Sequence, residues 1–192
     1  MINVYNILAA CAVGLSYELP GKIIEKGIES CRAIPGRFER IDEGQPFLVI
    51  VDYAHTPDAL RNVISGARAL RPNRIITLFG CGGDRDRSKR PLMAEAAASG
   101  SEYVVLTSDN PRSEDPLMIM TDALVGLRRF DTPHHIEPDR AKAIRHALQQ
   151  AKDGDIVILA GKGHETYQIL KDQTIHFDDR EVAREVLQGF GS

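Results

Sequence analysis

The sequence predicts an α/β domain from the alternation of two kinds of segment. Apolar runs recur at 47–51, 75–79, 103–106, 134–137 and 156–160, the fourth being weaker and more polar. Segments with helical spacing stand between them, at 57–70, 89–99, 115–129 and 139–152. This alternation predicts a parallel sheet, and the unbroken runs LVIV and IVIL are typical of strands buried on both faces. We therefore expect a Rossmann-like, mostly parallel sheet with helices on both faces.

The ends of the chain add smaller elements to this domain. Residues 3–16 and 20–30 have helical spacing, and Pro35-Gly36 then interrupts the pattern. We therefore expect a short N-terminal helical segment over 1–34 and the main domain over 35–192. The stretch after residue 165 predicts a hairpin, followed by a closing helix at 178–188.

Composition limits the function classes. The chain has 192 residues, 43% of them hydrophobic and 27% charged, and a net charge of −3, as in ordinary soluble proteins. No global positive charge points to nucleic acid or a membrane surface, and no apolar run approaches the ~18 residues of a membrane span. Three widely spaced cysteines fit a reducing compartment. We expect a cytoplasmic protein that binds neither nucleic acid nor membrane.

Unusual polar residues collect where predicted strands end. The four stretches are DYAH at 52–55, GCGGDRD at 80–86, DNPR at 109–112 and GKGHE at 161–165. The carboxyl ends of parallel strands share one edge of a sheet, where open α/β domains bind ligands. The sequence therefore predicts one site built from four loops.

The residue types at this edge suit a zwitterion. Asn110 and Arg112, held by the rigid Pro111, form a donor set for a carboxylate, and Arg85 could bind another. Glu165 could accept an ammonium group. Each stretch also has a plain structural interpretation, as a turn with exposed charge. Their coincidence favours a site for a small, multiply charged, amino-acid-like ligand.

The DYAH stretch allows two interpretations. Thr56 as N-cap and Pro57 as first helical residue explain the start of a helix. Asp52 and His55 are not explained in this way. They could orient a nucleotide or its metal ion, although a single histidine is often structural.

The motifs include no recognisable catalytic machinery. We find no Ser/His/Asp arrangement, no general-acid pair and no metal-ligand cluster, so we predict neither a catalytic residue nor a bound metal in this chain. Spacing alone assigns no role to Lys162 or His164.

Six stretches in order, NVYNILAA, GRFE, VDYAHTPDAL, FGCGGDRDRSKRPLM, SDNPR and AGKGHETYQI, resemble the Mur ligases of peptidoglycan synthesis, in particular the members that add diaminopimelate. The resemblance implies that meso-diaminopimelate is bound by Arg85, Asp109, Asn110, Pro111, Arg112, Gly161 and Glu165. It implies contacts with ATP by Asn6, Arg37, Asp52 and His55.

The resemblance also implies a reaction. ATP phosphorylates the carboxylate of UDP-MurNAc-L-Ala-D-Glu, and the diaminopimelate amine then attacks the acyl phosphate. The sequence contains no G-x-x-x-x-G-K-[ST] loop. We therefore expect a fragment, the helical tail of the central ATP-binding domain at 1–34 followed by the C-terminal domain. Other regions of the full-length enzyme would bind most of ATP and Mg²⁺ and the UDP-linked substrate. We expect this piece to be monomeric and inactive alone.

Two alternatives remain at this stage. The first is a stand-alone Rossmann-like module that binds an amino acid or nucleotide without chemistry. The second is a structural α/β domain with solvated charged loops, which the coincidence of four polar loops disfavours.

Overall fold

The computed structural model describes residues 4–31 and 34–191, and the chain divides into two compact units, 1–34 and 35–192. The first unit contains α1 (Val4–Ser16) and α2 (Gly21–Ser30), as the helical spacing predicts; residue 3 lies outside the described residues. Gly14 is buried where α1 meets α2, and a Cβ there would lie 2.9 Å from the Ile24 side chain. None of the helices in the described ranges is long and apolar enough to cross a bilayer.

The second unit is built on a six-stranded sheet in the order β1-β2-β6-β3-β4-β5. Its strands are β1 (Glu39–Ile41), β2 (Leu48–Asp52), β3 (Ile75–Cys81), β4 (Tyr103–Ser108), β5 (His134–Glu137) and β6 (Ile156–Ala160). Only β1 runs antiparallel within this sheet as described. A separate antiparallel hairpin pairs β7 (Tyr167–Ile169) with β8 (Thr174–His176), as predicted.

Helices cover both faces of the sheet. They are α3 (Pro57–Arg68), α4 (Lys89–Gly100), α5 (Pro116–Leu127), α6 (Arg140–Gln150) and α7 (Asp179–Gln188). The first three pack on one face, and α6 and α7 pack on the other. The predicted α/β architecture is thus confirmed.

The central strand β6 shows how the two cores form. Ile156 and Ile158 join the core under α3–α5, whereas Val157 and Leu159 join the core under α6 and α7. All four are at most 3% exposed, and burying each aliphatic side chain stabilises the fold by roughly 1.5–3 kcal/mol. A strand buried on both faces needs no polar alternation, which is why its sequence is a continuous apolar run.

Side-chain caps start four of the helices. Thr56, Asp115, Asp139 and Asp178 each accept a hydrogen bond from a backbone N–H in the first turn that follows. Such a cap is worth about 1 kcal/mol. The predicted cap by Thr56, with Pro57 in the first turn, is confirmed.

Two features of the sheet differ from the sequence-based expectation. The strand β1 was not predicted, because its three residues ERI carry two charges and lie at the sheet edge. In addition, β3 and β4 each extend two residues beyond the predicted apolar run. Gly80 pairs with Thr107 and Cys81 with Ser108, so polar and small residues continue the parallel ladder.

The opposite edge strand, β5, packs against α6 through aromatic side chains. The His135 ring stacks on His146 with centroids 4.0 Å apart, and the Tyr103 hydroxyl lies 3.0 Å from Nε2 of His146. Burial, with a smaller contribution from neighbouring His135, lowers the pKa of His146 below its ordinary value. The neutral imidazole is therefore favoured in the folded chain.

Candidate functional site

A cavity of about 400 Å³ opens at the carboxyl edge of the sheet in the second unit. Its walls are the segments after β2, β3, β4 and β6 and the first turns of α4. Because β6, β3 and β4 are neighbours in the sheet, the polar stretches that follow them meet. Six of the predicted ligand-binding residues line this one cavity: Arg85, Asp109, Asn110, Arg112, Gly161 and Glu165.

The seventh, Pro111, is buried beside the cavity rather than in its lining. Its carbonyl oxygen lies against Gly83, where an added Cβ would come within 1.9 Å of that oxygen. A side chain at Gly83 would therefore push apart the loops that follow β3 and β4.

Asn110 lies at the centre of the polar cluster and is 3% exposed. Its Nδ2 donates to Oε2 of Glu165 at 3.0 Å. Its Oδ1 accepts from Nζ of Lys162 at 3.1 Å and from the backbone N–H of Ile169 at 2.9 Å. The amide is therefore held by three groups from two other segments of the chain.

Asp109 and Gly161 lie side by side at the ends of β4 and β6. Oδ1 of Asp109 accepts from the N–H of Asn110 at 2.6 Å, and its carbonyl accepts from Nε2 of Gln168 at 2.7 Å. Gly161 has φ +113, and a Cβ there would lie 2.7 Å from Oδ2 of Asp109. Only glycine fits this position without strain.

The guanidinium of Arg112 is half-buried at the cavity wall. Its Nη1 donates to the carbonyl oxygens of Gly83 at 2.9 Å and Asn110 at 3.3 Å. Its backbone has φ 53 and donates to the carbonyl of Ile169 at 3.1 Å. Within the part of the chain that the structure describes, no carboxylate lies within ion-pair distance of Arg112.

A set of charged contacts joins the loop after β3 to the loop after β4. Oε1 of Glu114 accepts from the N–H of Asp84 at 2.6 Å and from Nη2 of Arg90 at 2.7 Å. Oδ1 of Asp84 accepts from the Ser113 hydroxyl at 2.6 Å. The hydrogen bond from Arg90 is the main reason that the pKa of Glu114 lies below its ordinary value. The two loops are therefore joined by several charged hydrogen bonds.

A fully buried ion pair lies at the ends of β4 and β6. Nε and Nη2 of Arg140 donate to the two carboxylate oxygens of Asp179 at 2.8 and 2.7 Å. The guanidinium also donates to the carbonyls of Ser108, at 3.1 Å, and Ala160, at 3.0 Å, which end β4 and β6. Burial opposes the charge on Arg140, but the Asp179 carboxylate outweighs it and raises the pKa of Arg140.

Arg85 offers a second cation at the cavity. It is exposed, and its Nη1 donates only to the neighbouring carbonyl of Asp84, at 3.2 Å, among the described residues. Its long side chain is therefore free to meet an anion.

Two of the residues predicted to contact ATP, Arg37 and His55, lie beside the Tyr53 ring, and His55 also lines the cavity. Arg37 is exposed and stacks on the Tyr53 ring at 4.7 Å, and the exposed His55 lies 4.7 Å from the same ring. The Asp52 carboxylate instead accepts from the N–H of Phe38 at 2.7 Å, and burial raises its pKa. Asn6 is an exposed residue of α1 in the first unit.

Neither metal ligation nor thiol chemistry stands out in the described residues. They contain no group of three or more His, Cys, Asp or Glu side chains placed to hold a metal ion. Cys81 lines the cavity, but burial raises its pKa to about 12, so the thiol stays protonated.

Sequence reasoning assigned no role to Lys162 and missed Arg90 and Arg140. Lys162 stands between two glycines of a polar loop, as exposed lysines often do, yet its side chain is 0% exposed. Only the adjoining chemistry of Asn110 and Glu165 could have pointed to it. For Arg140 the sequence offers no signal, because its partner lies 39 residues away.

A family model described as the Mur ligase, glutamate ligase domain, matches residues 36–163. The chain belongs to the Mur ligase family. The match takes in the loops after β2, β3 and β4 and the first three residues of the loop after β6, and Glu165 lies two residues beyond its end.

Individual Mur ligases match over nearly the whole chain. A UDP-N-acetylmuramoyl-L-alanyl-D-glutamate–2,6-diaminopimelate ligase from Solibacter usitatus is 72% identical over 99% of this chain and 38% of its own length. The enzyme of that name from Syntrophomonas wolfei is 50% identical over 98% of this chain and 39% of its own length. The chain therefore spans about two fifths of these relatives, in their C-terminal part.

Solved structures agree with this assignment. A structure of a UDP-N-acetylmuramoyl-L-alanyl-D-glutamate–2,6-diaminopimelate ligase superposes with a TM-score of 0.77, at 40% identity, over 99% of this chain and 39% of that one. The UDP-N-acetylmuramate–alanine ligase of Thermotoga maritima superposes with a TM-score of 0.67 over 98% of this chain and 37% of its own. At 20% identity it shares the Mur ligase fold.

Proposed function

We propose that residues 35–192 form the amino-acid-binding domain of an ATP-dependent ligase that adds meso-2,6-diaminopimelate to UDP-MurNAc-L-Ala-D-Glu in peptidoglycan synthesis. The names of the relatives support this substrate. The full-length ligase would be a monomeric, cytoplasmic enzyme. Because this chain spans about two fifths of its relatives, it would bind the amino acid and depend on other parts of the ligase for chemistry.

The observation that carries the proposal is the position of Arg112. Its guanidinium faces the cavity, is held in place by two carbonyl oxygens, and has no carboxylate partner among the described residues. Diaminopimelate has a second carboxylate that could supply this partner, and lysine lacks it. A site built to pair a buried polar group discriminates against a ligand that leaves this group unpaired, by ~10⁴-fold in specificity.

The remaining charges complement the rest of the ligand. Glu165 offers a carboxylate for the ammonium group beside that second carboxylate, and Arg85 offers another cation at the cavity mouth. Several fixed contacts to one zwitterion would orient the amino acid, so that its reactive amine meets the acceptor.

We infer that the nucleotide lies near Arg37 and His55. Both side chains are exposed beside the Tyr53 ring, where a cation and an imidazole could meet phosphate or a base. When bound, ATP supplies the phosphoryl group that activates the acceptor carboxylate. Asn6 and Asp52 remain predicted contacts, and most binding of ATP and Mg²⁺ is assigned to other parts of the full-length ligase.

Calorimetric titration of the 192-residue chain with meso-diaminopimelate and with L-lysine tests the proposal. We expect saturable binding of diaminopimelate with a preference of about 100-fold or more over lysine, as for an unpaired charged group. Arg112→Met should abolish this preference, and Arg128→Met, at an exposed position outside the cavity, should retain it. Equal affinity for both ligands in the unaltered chain would refute the assignment.

A further inference from the structure

Lys162 is a cation sealed beneath the cavity. Its side chain is 0% exposed, and its Nζ donates to Oδ1 of Asn110 at 3.1 Å and to Oε2 of Glu165 at 3.2 Å. The ammonium group also lies 5.6 Å above the Tyr167 ring. Its two hydrogen-bonded partners are thus two residues of the proposed ligand site, and Lys162 itself is not part of the cavity lining.

The first consequence concerns the amide of Asn110. Oδ1 receives hydrogen bonds from Lys162 and from the N–H of Ile169. A flipped amide would turn its NH₂ group towards two donors and lose both bonds. Lys162 therefore directs Nδ2 towards Glu165, and this nitrogen has a second hydrogen left to donate.

The second consequence concerns the two oxygens of Glu165. Oε2 accepts from both Lys162 and Asn110, whereas Oε1 has no hydrogen-bond partner within residues 4–31 and 34–191. One oxygen is therefore fixed in the protein and the other is left for a ligand. Glu165 is half-buried in the cavity wall, so that a cationic donor can reach the remaining oxygen.

Burying a lysine costs more free energy than burying an apolar side chain of similar volume. Removing an ammonium group from water costs several kcal/mol, and an apolar side chain of similar volume is often as stable or more so. What an apolar residue could not do is hold Oδ1 of Asn110 and Oε2 of Glu165 together. The pattern of donors thus matches a role in orienting these two groups.

We propose that Lys162 is the positioning residue for ammonium recognition: from below the cavity it orients Asn110 and Glu165 so that Oε1 receives the ligand's second ammonium group. The inference rests on the proposed function and extends it. Recognition of the two charged groups at that end of the ligand is then divided, with Arg112 serving the carboxylate and Lys162, through Glu165, serving the ammonium.

Three ligands separate these two roles. meso-Diaminopimelate carries both groups, L-lysine lacks the second carboxylate, and L-2-aminoheptanedioate keeps both carboxylates but lacks the second ammonium. Titrating the 192-residue chain, we expect diaminopimelate to bind at least about 10-fold more tightly than aminoheptanedioate, as for one charge-assisted hydrogen bond. No saturable binding of diaminopimelate would overturn the proposed function and this inference with it.

Lys162→Met should reduce the ammonium preference to about 2-fold or less, since one ordered charge-assisted contact is lost, while the preference for diaminopimelate over lysine persists. Lys152→Met, at an exposed lysine, is the matched control and should change neither ratio. A merely structural lysine would weaken all three ligands together. Retention of the full ammonium preference in Lys162→Met overturns the inference although the proposed function stands.

A comparison within the Glu165→Gln background covers the case in which Lys162→Met alone does not fold. In the Glu165→Gln background the same substitution leaves no unpaired carboxylate at this position. If Lys162 acts through Glu165, the double variant should bind diaminopimelate within about 2-fold of Glu165→Gln, because their effects are coupled. A further loss of about 10-fold or more would show independent roles and overturn the inference.

Discussion

Arg140→Met removes the buried cation that joins the ends of β4 and β6. The Asp179 carboxylate, 0% exposed, would lose its ionic partner, and the carbonyls of Ser108 and Ala160 would each lose a donor. Breaking a buried ion pair by removing one partner costs about 3–5 kcal/mol. Domains are typically stable by about 5–15 kcal/mol, so this one substitution removes a large share of the stability.

The assay is urea and thermal unfolding followed by far-ultraviolet circular dichroism, because the chain contains no tryptophan. At roughly 2–4 °C per kcal/mol for a chain of this size, the melting temperature should fall by roughly 10 °C. Arg68→Met is the matched control: its pair with Glu102 is 43% exposed on both sides, and exposed pairs contribute about 1 kcal/mol at most. Equal effects of the two substitutions would refute the role assigned to the buried pair.

Three further outcomes are expected. Gly161→Ala adds a methyl group 2.7 Å from a carboxylate oxygen at φ +113. It should lower the free energy of unfolding by about 1–3 kcal/mol and weaken ligand binding. The control Gly189→Ala, in open space, should change stability by less than about 0.5 kcal/mol. A thiol reagent at about pH 8 should label exposed Cys31. Cys81 has a pKa of about 12, so about one molecule in 10⁴ carries the thiolate, and it should react only on unfolding. Rapid labelling of both cysteines would contradict this. Because the pKa of His146 is lowered in the folded chain, the unfolded chain binds more protons at low pH. Stability should therefore fall as the pH drops through about 6.5. His146→Gln should flatten that part of the plot of stability against pH.

The sequence was sufficient for the frame of the domain because its signals are local. A strand such as 156–160, buried on both faces, is written as an unbroken apolar run, and Thr56-Pro57 marks a helix start within two residues. Both patterns follow from backbone geometry and solvent exclusion, which act on neighbouring residues. The strand β1 has no such pattern, because it owes its place to pairing with β2.

The residues of the site likewise fall into those that the sequence predicts and those that it does not. Loops that end neighbouring parallel strands must meet, so Asn110, Arg112 and Glu165 could be grouped from the sequence alone. The burial of Lys162 and the pairing of Arg140 with Asp179 depend on contacts between distant segments, and no local pattern encodes them. Charged residues are mostly exposed, and this general expectation is wrong for Lys162 and for Arg140.

Arg112 both faces the cavity and holds two loops together, and this affects any redesign of the ligand preference. Nη1 of its guanidinium already donates to the carbonyl oxygens of Gly83 and Asn110. A neutral replacement meant to admit lysine would therefore also strip donors from the junction of two loops, one of which has no room for a side chain at Gly83. Changing the preferred amino acid thus calls for compensating changes on both sides of that junction: selectivity and loop architecture are altered together or not at all.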